Sequence, residues 1–516
     1  MRRNASMGFA QILSRAQVGM SAPLVRVEVH LGSGLPSFSI VGLPAPVVRE
    51  SKERVRAALA HCDFEFPAGR ITVNLAPADL PKEGGRFDLP IALGILVASG
   101  QVQPPCDLAR AEFYGELGLT GDLKAVPGLL LAALHAAALR HELFVPMRNV
   151  EEVKVSDATR VHGMRNLRGF RQEVAGGEDR SEVNEEPPDL ASEAIAAPPL
   201  LDLADVRGQW QARRALIIAA AGGHSLLMLG PPGSGKTMLA QRLPGLLPPL
   251  TAAEALEIAA IAAVAQTESG AGQVRRPFRA PHHTASAHAI VGGGITVRPG
   301  EVSLAHHGVL FLDELPEFDR RVLEALREPL ESGVISVVRA NQRAEFPAAF
   351  QLVAAMNPCP CGRAGMVAPR CRCEPRQVER YRNRISGPLL DRIDLQVVLP
   401  PVDSQELVEP HSTRSLRDSL TTVDAAAAVC AARTLQSGRQ GMSNHRLGPE
   451  ETLRFCCADR EGMTLLRRAA QSRGYSARSQ HRLLRVARSI ADLACREAVI
   501  AADVAEALAL RWESGP

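Results

Sequence analysis

Aromatic residues are scarce in this 516-residue chain, with two Trp, three Tyr and fourteen Phe, 4% in all. So few rings exclude nucleic-acid binding that relies chiefly on stacked bases. The abundance of Ala, Leu and Val suits a helix-rich α/β protein better than a β-sandwich. A charge bias is missing too: 59 basic residues face 56 acidic ones, a net charge of +3. Any polyanionic partner must therefore be met by a local patch. No apolar run approaches the roughly eighteen residues of a bilayer-spanning helix; stretches such as Ile91 to Ala98 reach about half of that. After Met1, Arg2 and Arg3, the polar Gln11, Ser14, Arg15 and Gln17 interrupt any hydrophobic leader, so a cytoplasmic location and no membrane partner are expected. Ten cysteines are too few for a disulfide scaffold of this length.

The length fits about three domains. Residues 1–171 alternate strand-like runs (Val25 to Leu31, Ile71 to Leu75) with helical stretches such as Val47 to Ala60, which reads as one α/β domain. Residues 172–199 turn to Glu, Asp, Ser, Pro and Gly, the composition of a flexible acidic linker. Residues 200–403 carry apolar strands at Ser225 to Leu229, Val309 to Leu312 and Leu352 to Met356 between helices, the pattern of a covered parallel sheet. Residues 404–516 are almost purely helical, with helices expected over Val423 to Leu435, Glu450 to Ser472, Ala477 to Val499 and Ala501 to Trp512, as in a lid domain.

The strand ending at Leu229 runs into Gly230, Pro231, Pro232, Gly233, Ser234, Gly235, Lys236 and Thr237, followed by a helix. This strand-loop-helix context is that of a phosphate-binding loop: glycines let backbone N–H groups surround a polyphosphate, Lys236 reaches its terminal phosphates and Thr237 holds magnesium. The strand Val309 to Leu312 delivers Asp313 and Glu314 to the ligand edge of an α/β sheet. Asp313 is expected to complete the magnesium site and Glu314 to orient the attacking water. A third strand ends at Asn357, positioned as a γ-phosphate sensor.

The ordered set of phosphate loop, Asp-Glu strand, Asn-ending strand and Gly387-Pro-Leu-Leu-Asp-Arg-Ile-Asp394 resembles AAA+ ATPases of the magnesium-chelatase subunit I type. Arg279-Ala-Pro-His-His-Thr284, Leu304-Ala-His-His-Gly-Val-Leu-Phe-Leu-Asp-Glu314 and Asn357-Pro-Cys-Pro-Cys-Gly362 resemble the ComM/YifB family of bacterial competence proteins over nearly the whole chain. The resemblance implies a homohexameric, magnesium- and ATP-dependent helicase that migrates branched DNA in recombination during natural transformation, alongside recombination proteins. It implies that Arg392 is an arginine finger acting in a neighbouring subunit and Arg478 a sensor-2 arginine, with Arg482 and Arg485 as neighbouring candidates. A charge supplied across an interface suits a water-excluded transition state.

Pro81-Lys-Glu-Gly-Gly-Arg-Phe-Asp-Leu-Pro90 and Gly115-Glu-Leu-Gly-Leu-Thr-Gly121 resemble the Lon-type protease fold, whose Ser-Lys pair needs a serine activated by an amine. Arg86 stands at the serine position and Leu130 at the lysine position, so an inactive protease domain is expected. Lys82, Arg86 and Lys124 offer contacts to DNA backbone or a solvated surface.

Cys359, Cys361, Cys371 and Cys373 form two Cys-x-Cys pairs, a pattern open equally to structural zinc and to reduced thiols. His282, His283, His288, His306 and His307 lack a metalloprotease pattern and read as structural. Seven arginines between Arg363 and Arg384, and five from Arg473 to Arg488, read as two basic surfaces. Val334 to Phe346 reads as a hairpin around Arg339 and Arg343, which would contact DNA if it faces a ring pore, or else be plain structure. A chelatase-type or protein-remodelling motor is the alternative function. An assembly scaffold is a third, which Glu314 argues against.

Overall fold

The computed structural model describes residues 8–104, 106–154, 160–172, 201–265, 275–294, 297–339, 342–364, 370–401 and 420–511. The expected linker, apart from Gln172, and the boundary at 403/404 lie outside the described residues. The chain divides into two compact units, residues 1–195 with 259–272 and residues 196–258 with 273–516.

In the first unit, β1 (Gly8–Arg15), β2 (Leu24–Gly32), β3 (Ser37–Val41), β4 (Arg70–Ala76) and β5 (Ala111–Phe113) are followed by the short hairpin β6 (Glu116–Leu117) and β7 (Leu123–Lys124), then β8 (Glu142–Pro146) and β9 (Val161–Met164). Seven of them build one mixed sheet in the order β3-β4-β2-β1-β5-β8-β9. Alternation along β2 buries Val25, Val27 and Val29 and leaves Arg26 and His30 outside, the period of two that a one-sided sheet requires. The buried helix Asp88–Ala98 covers that face. It lies close to β2 because Gly94 has no side chain: a Cβ there would come 2.5 Å from Val29 Cγ2. Asp88 at its first turn accepts from Arg54 Nε at 2.6 Å and from the Leu117 N–H at 3.2 Å.

Two of the three expected DNA-contacting cations of this unit are corrected. Lys82 is fully buried and donates its ammonium to the Pro77 carbonyl. Arg86 is buried as well, reaching the Pro127 carbonyl at 3.0 Å and Gln17 Oε1 at 3.2 Å. Burial lowers the pKa of both, and neither faces a phosphate backbone; only Lys124 is exposed. Leu130, like Arg86, is a buried packing residue.

The second unit contains β10 (Leu226–Leu229), β11 (Phe278–Arg279), the two-residue pair β12 (Gly292–Gly293) and β13 (Arg298–Pro299), β14 (Val309–Leu312), the hairpin β15 (Val334–Arg339) and β16 (Gln342–Pro347), then β17 (Gln351–Met356) and β18 (Leu395–Val398). Its main sheet is wholly parallel, in the order β11-β14-β17-β10-β18. Buried on both faces, β10, β14 and β17 are continuous apolar runs, as such a sheet demands. Because β14, β17 and β10 are neighbours, their C-terminal ends meet at one edge.

Helices Thr422–Gln440, Pro449–Phe455, Arg460–Arg473, Ala477–Leu493 and Ala501–Ala509 pack into the same core as this sheet. The single helix expected over Glu450 to Ser472 is two, because Asp459 caps the second by accepting from the Gly462 N–H at 2.7 Å. The helix expected to reach Val499 stops at Leu493: Cys495 turns left-handed at φ 52°, and Arg488 captures the carbonyls of Arg496 and Glu497. The second expected basic surface is corrected in part: Arg488 is buried against Asp492 and Arg482 faces Asp394, whereas Arg473 and Arg478 are exposed.

His224 joins sheet to helices, with Nδ1 3.2 Å from Asp394 Oδ2 and Nε2 2.8 Å from Ser489 Oγ. Asn444 donates to the same hydroxyl and to Asp492. Burial pushes the Asp394 carboxyl up, but the His224 hydrogen bond and the charges of His224, Arg482 and Arg485 hold it well below the usual range. Its contribution is thus complete above the ordinary value of about 3.9 and is lost as pH falls through the native value. Asp394→Asn is expected to destabilise this unit by about 3 kcal/mol or more, since the opposing cations stay buried. Thermal unfolding at pH 7 measures the loss, and the deficit relative to wild type shrinks toward pH 2.

Candidate active site

The loop from Gly230 to Thr237 leaves β10 and leads into the short helix Lys236–Ala240. Gly233 and Gly235 adopt φ of 78° and 88°, which a side chain would strain, and this turns the backbone around an open cradle. The loop buries Ser234 Oγ with no hydrogen-bond partner among the described residues. Lys236 is buried and folded back, donating to the carbonyls of Gly230 at 2.7 Å and Pro231 at 2.9 Å and to Asn357 Oδ1 at 3.3 Å. Burial lowers its pKa, partly offset by Asp313 and Glu314. An ammonium held this way, over a cradle of N–H groups and a spare hydroxyl, fits a polyphosphate.

Thr237 Oγ1 donates to Asp313 Oδ2 at 2.9 Å, so the two oxygens expected to share magnesium stand side by side. Asp313 Oδ1 accepts from the Glu314 N–H at 2.9 Å, and Glu314 takes a left-handed φ of 52°. A glutamate held in that sparsely populated region turns its carboxylate out of the strand direction, the kind of strain found at working sites. Its Oε2 lies 3.4 Å from His283 Nδ1. The geometry therefore brings together Gly230 to Thr237, Asp313, Glu314 and Asn357, and adds His283, which the sequence analysis had grouped with structural histidines.

Arg392 and Arg478 lie elsewhere. Ser225, just before β10, donates its hydroxyl to the Arg392 carbonyl at 3.0 Å, so Arg392 sits at the N-terminal edge of the sheet. Five residue-to-residue steps along β10 lead from Ser225 to Gly230, about 16 Å at 3.3 Å per step. Arg392 pairs with Glu331 Oε1 at 2.7 Å, and Arg478 pairs with the same oxygen. Both line a cavity of about 1210 Å³ together with Arg276, Arg433, Arg482 and Arg485. Burial first, and then neighbouring guanidiniums, lower Arg433 and Arg482 to about 10. Seven arginines line the cavity against four acids, Glu254, Glu257, Glu331 and Asp394. The side chains of Arg339 and Arg343 lie outside the described residues, although the hairpin they flank is present, with Val338 opposite Arg343 and Arg339 opposite Gln342.

Beyond Asn357, the four thiols of Cys359, Cys361, Cys371 and Cys373 lie within 4.8 Å of one another. Measured Sγ separations of 3.4, 3.6 and 3.6 Å approach the roughly 3.8 Å edge of a tetrahedron with 2.3 Å zinc-sulfur bonds. Backbone N–H groups of Arg372 and Arg363 lower the Cys361 thiol to about 6, while burial and the neighbouring thiols push Cys371 and Cys373 up. The donor set thus fits zinc. His306 and His307 meet Glu257 at 2.9 and 2.7 Å. His306 Nδ1 accepts the Ala349 N–H, which leaves its proton on Nε2 as a donor to Glu257 and argues for the structural reading of this pair.

Family models described as magnesium chelatase, subunit ChlI, match residues 202–407; as subunit ChlI of Mg-chelatase, residues 27–149; and as the subunit ChlI C-terminal region, residues 419–511. Over 507 residues the chain is 46% identical to the competence protein ComM of Haemophilus influenzae, covering 98% of both. It is 44% identical to YifB of Escherichia coli over 98% of this chain and 97% of that one. It is 41% identical to Rv2897c of Mycobacterium tuberculosis over 98% and 99%.

Glu314→Gln is expected to bind ATP normally and to hydrolyse it at least about 100-fold more slowly. Equilibrium nucleotide binding and steady-state phosphate release test this, and near-normal turnover would remove Glu314 from the assigned role.

Proposed function

The chain belongs to the ChlI-like AAA+ ATPases, with ComM and YifB among its relatives, and on that footing we propose that it is an ATP-driven homohexameric motor moving on branched or duplex DNA in the cytoplasm. The AAA+ ATPase character comes with the family. The DNA substrate, helicase activity and branch migration, and a role in recombination during natural transformation, follow from the resemblance and from the competence role named in the Haemophilus relative.

The observation that carries the ring is the division of the machinery between opposite edges of one parallel sheet. Lys236 would hold the terminal phosphates, Glu314 would orient the attacking water, and Asn357 would read the γ-phosphate from beside Lys236. Thr237 and Asp313 would hold magnesium, which neutralises phosphate charge when bound. Arg392 and Arg478, on the far edge, lie too far away to complete that same site and would instead reach the phosphates of a neighbour. Mixing tests this directly. Lys236→Ala and Arg392→Ala are each expected to be inactive alone and to recover part of the activity when combined, because mixed rings contain intact interfaces. An active Arg392→Ala, or a mixture that recovers nothing, would overturn the ring.

The DNA part is tested by ATPase rate with single-stranded, duplex and four-way-junction DNA at two salt concentrations. Salt-sensitive stimulation is expected. Its absence with every DNA would favour the chelatase-like or protein-remodelling alternative, to which the magnesium-chelatase descriptions of the matching family models lend weight.

The same reading divides the chain into an inactive Lon-like domain (1–171), linker (172–199), ATPase core (200–403) and lid (404–516). Burial of Arg86 and Leu130 at the positions of the missing dyad supports inactivity. The four cysteines would hold one structural zinc. Purified protein is expected to carry about one zinc per chain and the Cys371→Ser/Cys373→Ser variant none; fully titratable thiols without metal would reject it.

A further inference from the structure

Five arginines have no task in the ATPase machinery. Arg363, Arg370, Arg372, Arg376 and Arg380 are all exposed, and among the described residues none makes a side-chain hydrogen bond or ion pair. They lie within eighteen residues of chain that include only two acids, Glu374 and Glu379. Holding so many like charges together is unfavourable unless an anion answers them.

The described residues on either side of 365–369 are anchored. The Cys359 thiol is buried, with Cys361 and Cys371 packed against it. The backbone N–H groups of Ala364 and Cys373, next to Arg363 and Arg372, donate to Cys359 Sγ at 3.3 Å and to Cys371 Sγ at 3.4 Å, which fixes the backbone beside both arginines. Arg376 and Arg380 are one turn apart on the helix Pro375–Arg382 and so share a face. Tyr381 is buried, and Arg384 pairs with Glu317 at 2.7 Å, tying the helix to the ATPase core.

We propose that this cysteine-anchored arginine cluster is a second nucleic-acid contact of the chain, binding the phosphate backbone of the DNA on which the motor acts; it rests on the DNA reading above. A second copy of the chain is a poor occupant. The face it would offer across a ring interface is the cavity around Arg392, where seven arginines outnumber the four acids Glu254, Glu257, Glu331 and Asp394, so cations would mostly meet cations. Nucleotide is a poor occupant as well, since Lys236 and the loop N–H groups already answer its charge. The cluster has a direct mechanical route to ATP. Gly362 packs on the phosphate loop so closely that a Cβ there would lie 2.6 Å from Pro232 Cδ, and the segment begins just beyond Asn357.

The test is equilibrium binding of a fluorescent duplex and a four-way junction to the full chain across a salt series. Each phosphate contact contributes about 0.9 to the slope of log affinity against log salt. A variant carrying Arg363→Ala, Arg372→Ala, Arg376→Ala and Arg380→Ala is therefore expected to lose about 3.6 units of slope and at least about 100-fold in affinity at low salt, with unchanged thermal unfolding. The same four positions changed to Lys should restore the slope, which a merely structural role would not do. An unchanged slope in the alanine variant overturns the inference. If slope and affinity fall only in Arg339→Ala/Arg343→Ala, the DNA reading stands and the cluster is excluded. If wild type shows no salt-dependent binding, both fall.

Discussion

The direction of the parallel sheet governs everything else in the second unit. Five strands pointing the same way send every strand-to-helix turn to one edge, and adjacency of β14, β17 and β10 places Asp313, Asn357 and the phosphate loop within hydrogen-bond reach of Lys236 and Thr237. The same polarity sends Arg392, which precedes β18, to the other edge. A parallel sheet cannot fold back to join its two edges. On the proposed reading, chemistry that needs both edges would be shared between chains, and assembly would be a condition of turnover rather than an addition to it.

That far edge is electrostatically unfinished. One carboxylate, Glu331, serves two guanidiniums, and Arg392 leaves Nε buried without a partner among the described residues. Burial first, and then neighbouring guanidiniums, lower the pKa of Arg433 and Arg482, so an incoming anion would be favoured there over solvent. Two residues beyond Arg392, Asp394 is fixed by His224 and Arg482, and through Ser489 and Asn444 the chain of hydrogen bonds enters the lid helices. Binding of a neighbour's phosphate at Arg392 would thus be felt by the lid along packed polar contacts, without passing through the catalytic edge of the same subunit.

Much of the catalytic edge was legible because it is local. A glycine-rich loop between an apolar strand and a helix, and acids or an amide at the ends of apolar runs, mark themselves in any order of strands. The observed order, β11-β14-β17-β10-β18, is not sequential, so contacts across it were invisible. His283 and Glu314 are thirty-one positions apart, and only the pairing of β11 with β14 makes them neighbours. Glu331 gave no signal, since an acid on a short helix is ordinary until two arginines converge on it. Lys82 and Arg86 looked like surface charges because burial of a cation depends on carbonyls contributed from elsewhere, Pro77 in one case and Pro127 in the other. The helix breaks at Asp459 and Cys495 were missed for a similar reason: capping outweighed an uninterrupted helical composition.

A net charge of +3 conceals this segregation. In the lid, Arg439, Arg482 and Arg488 are matched by Asp394 and Asp492, so their charge buys rigidity rather than an outward field. Elsewhere, arginines outnumber acids around the cavity at Arg392 and along residues 363–380 beside the cysteine cluster. The first is partly buried, so an anion entering it sheds water and gains strong, short-range interactions, as a transition state requires. The second is exposed, where interactions are weak singly, additive in number and screened by salt, as a sliding contact requires. One arginine-rich composition thus supplies two kinds of electrostatics, and burial alone decides which is which.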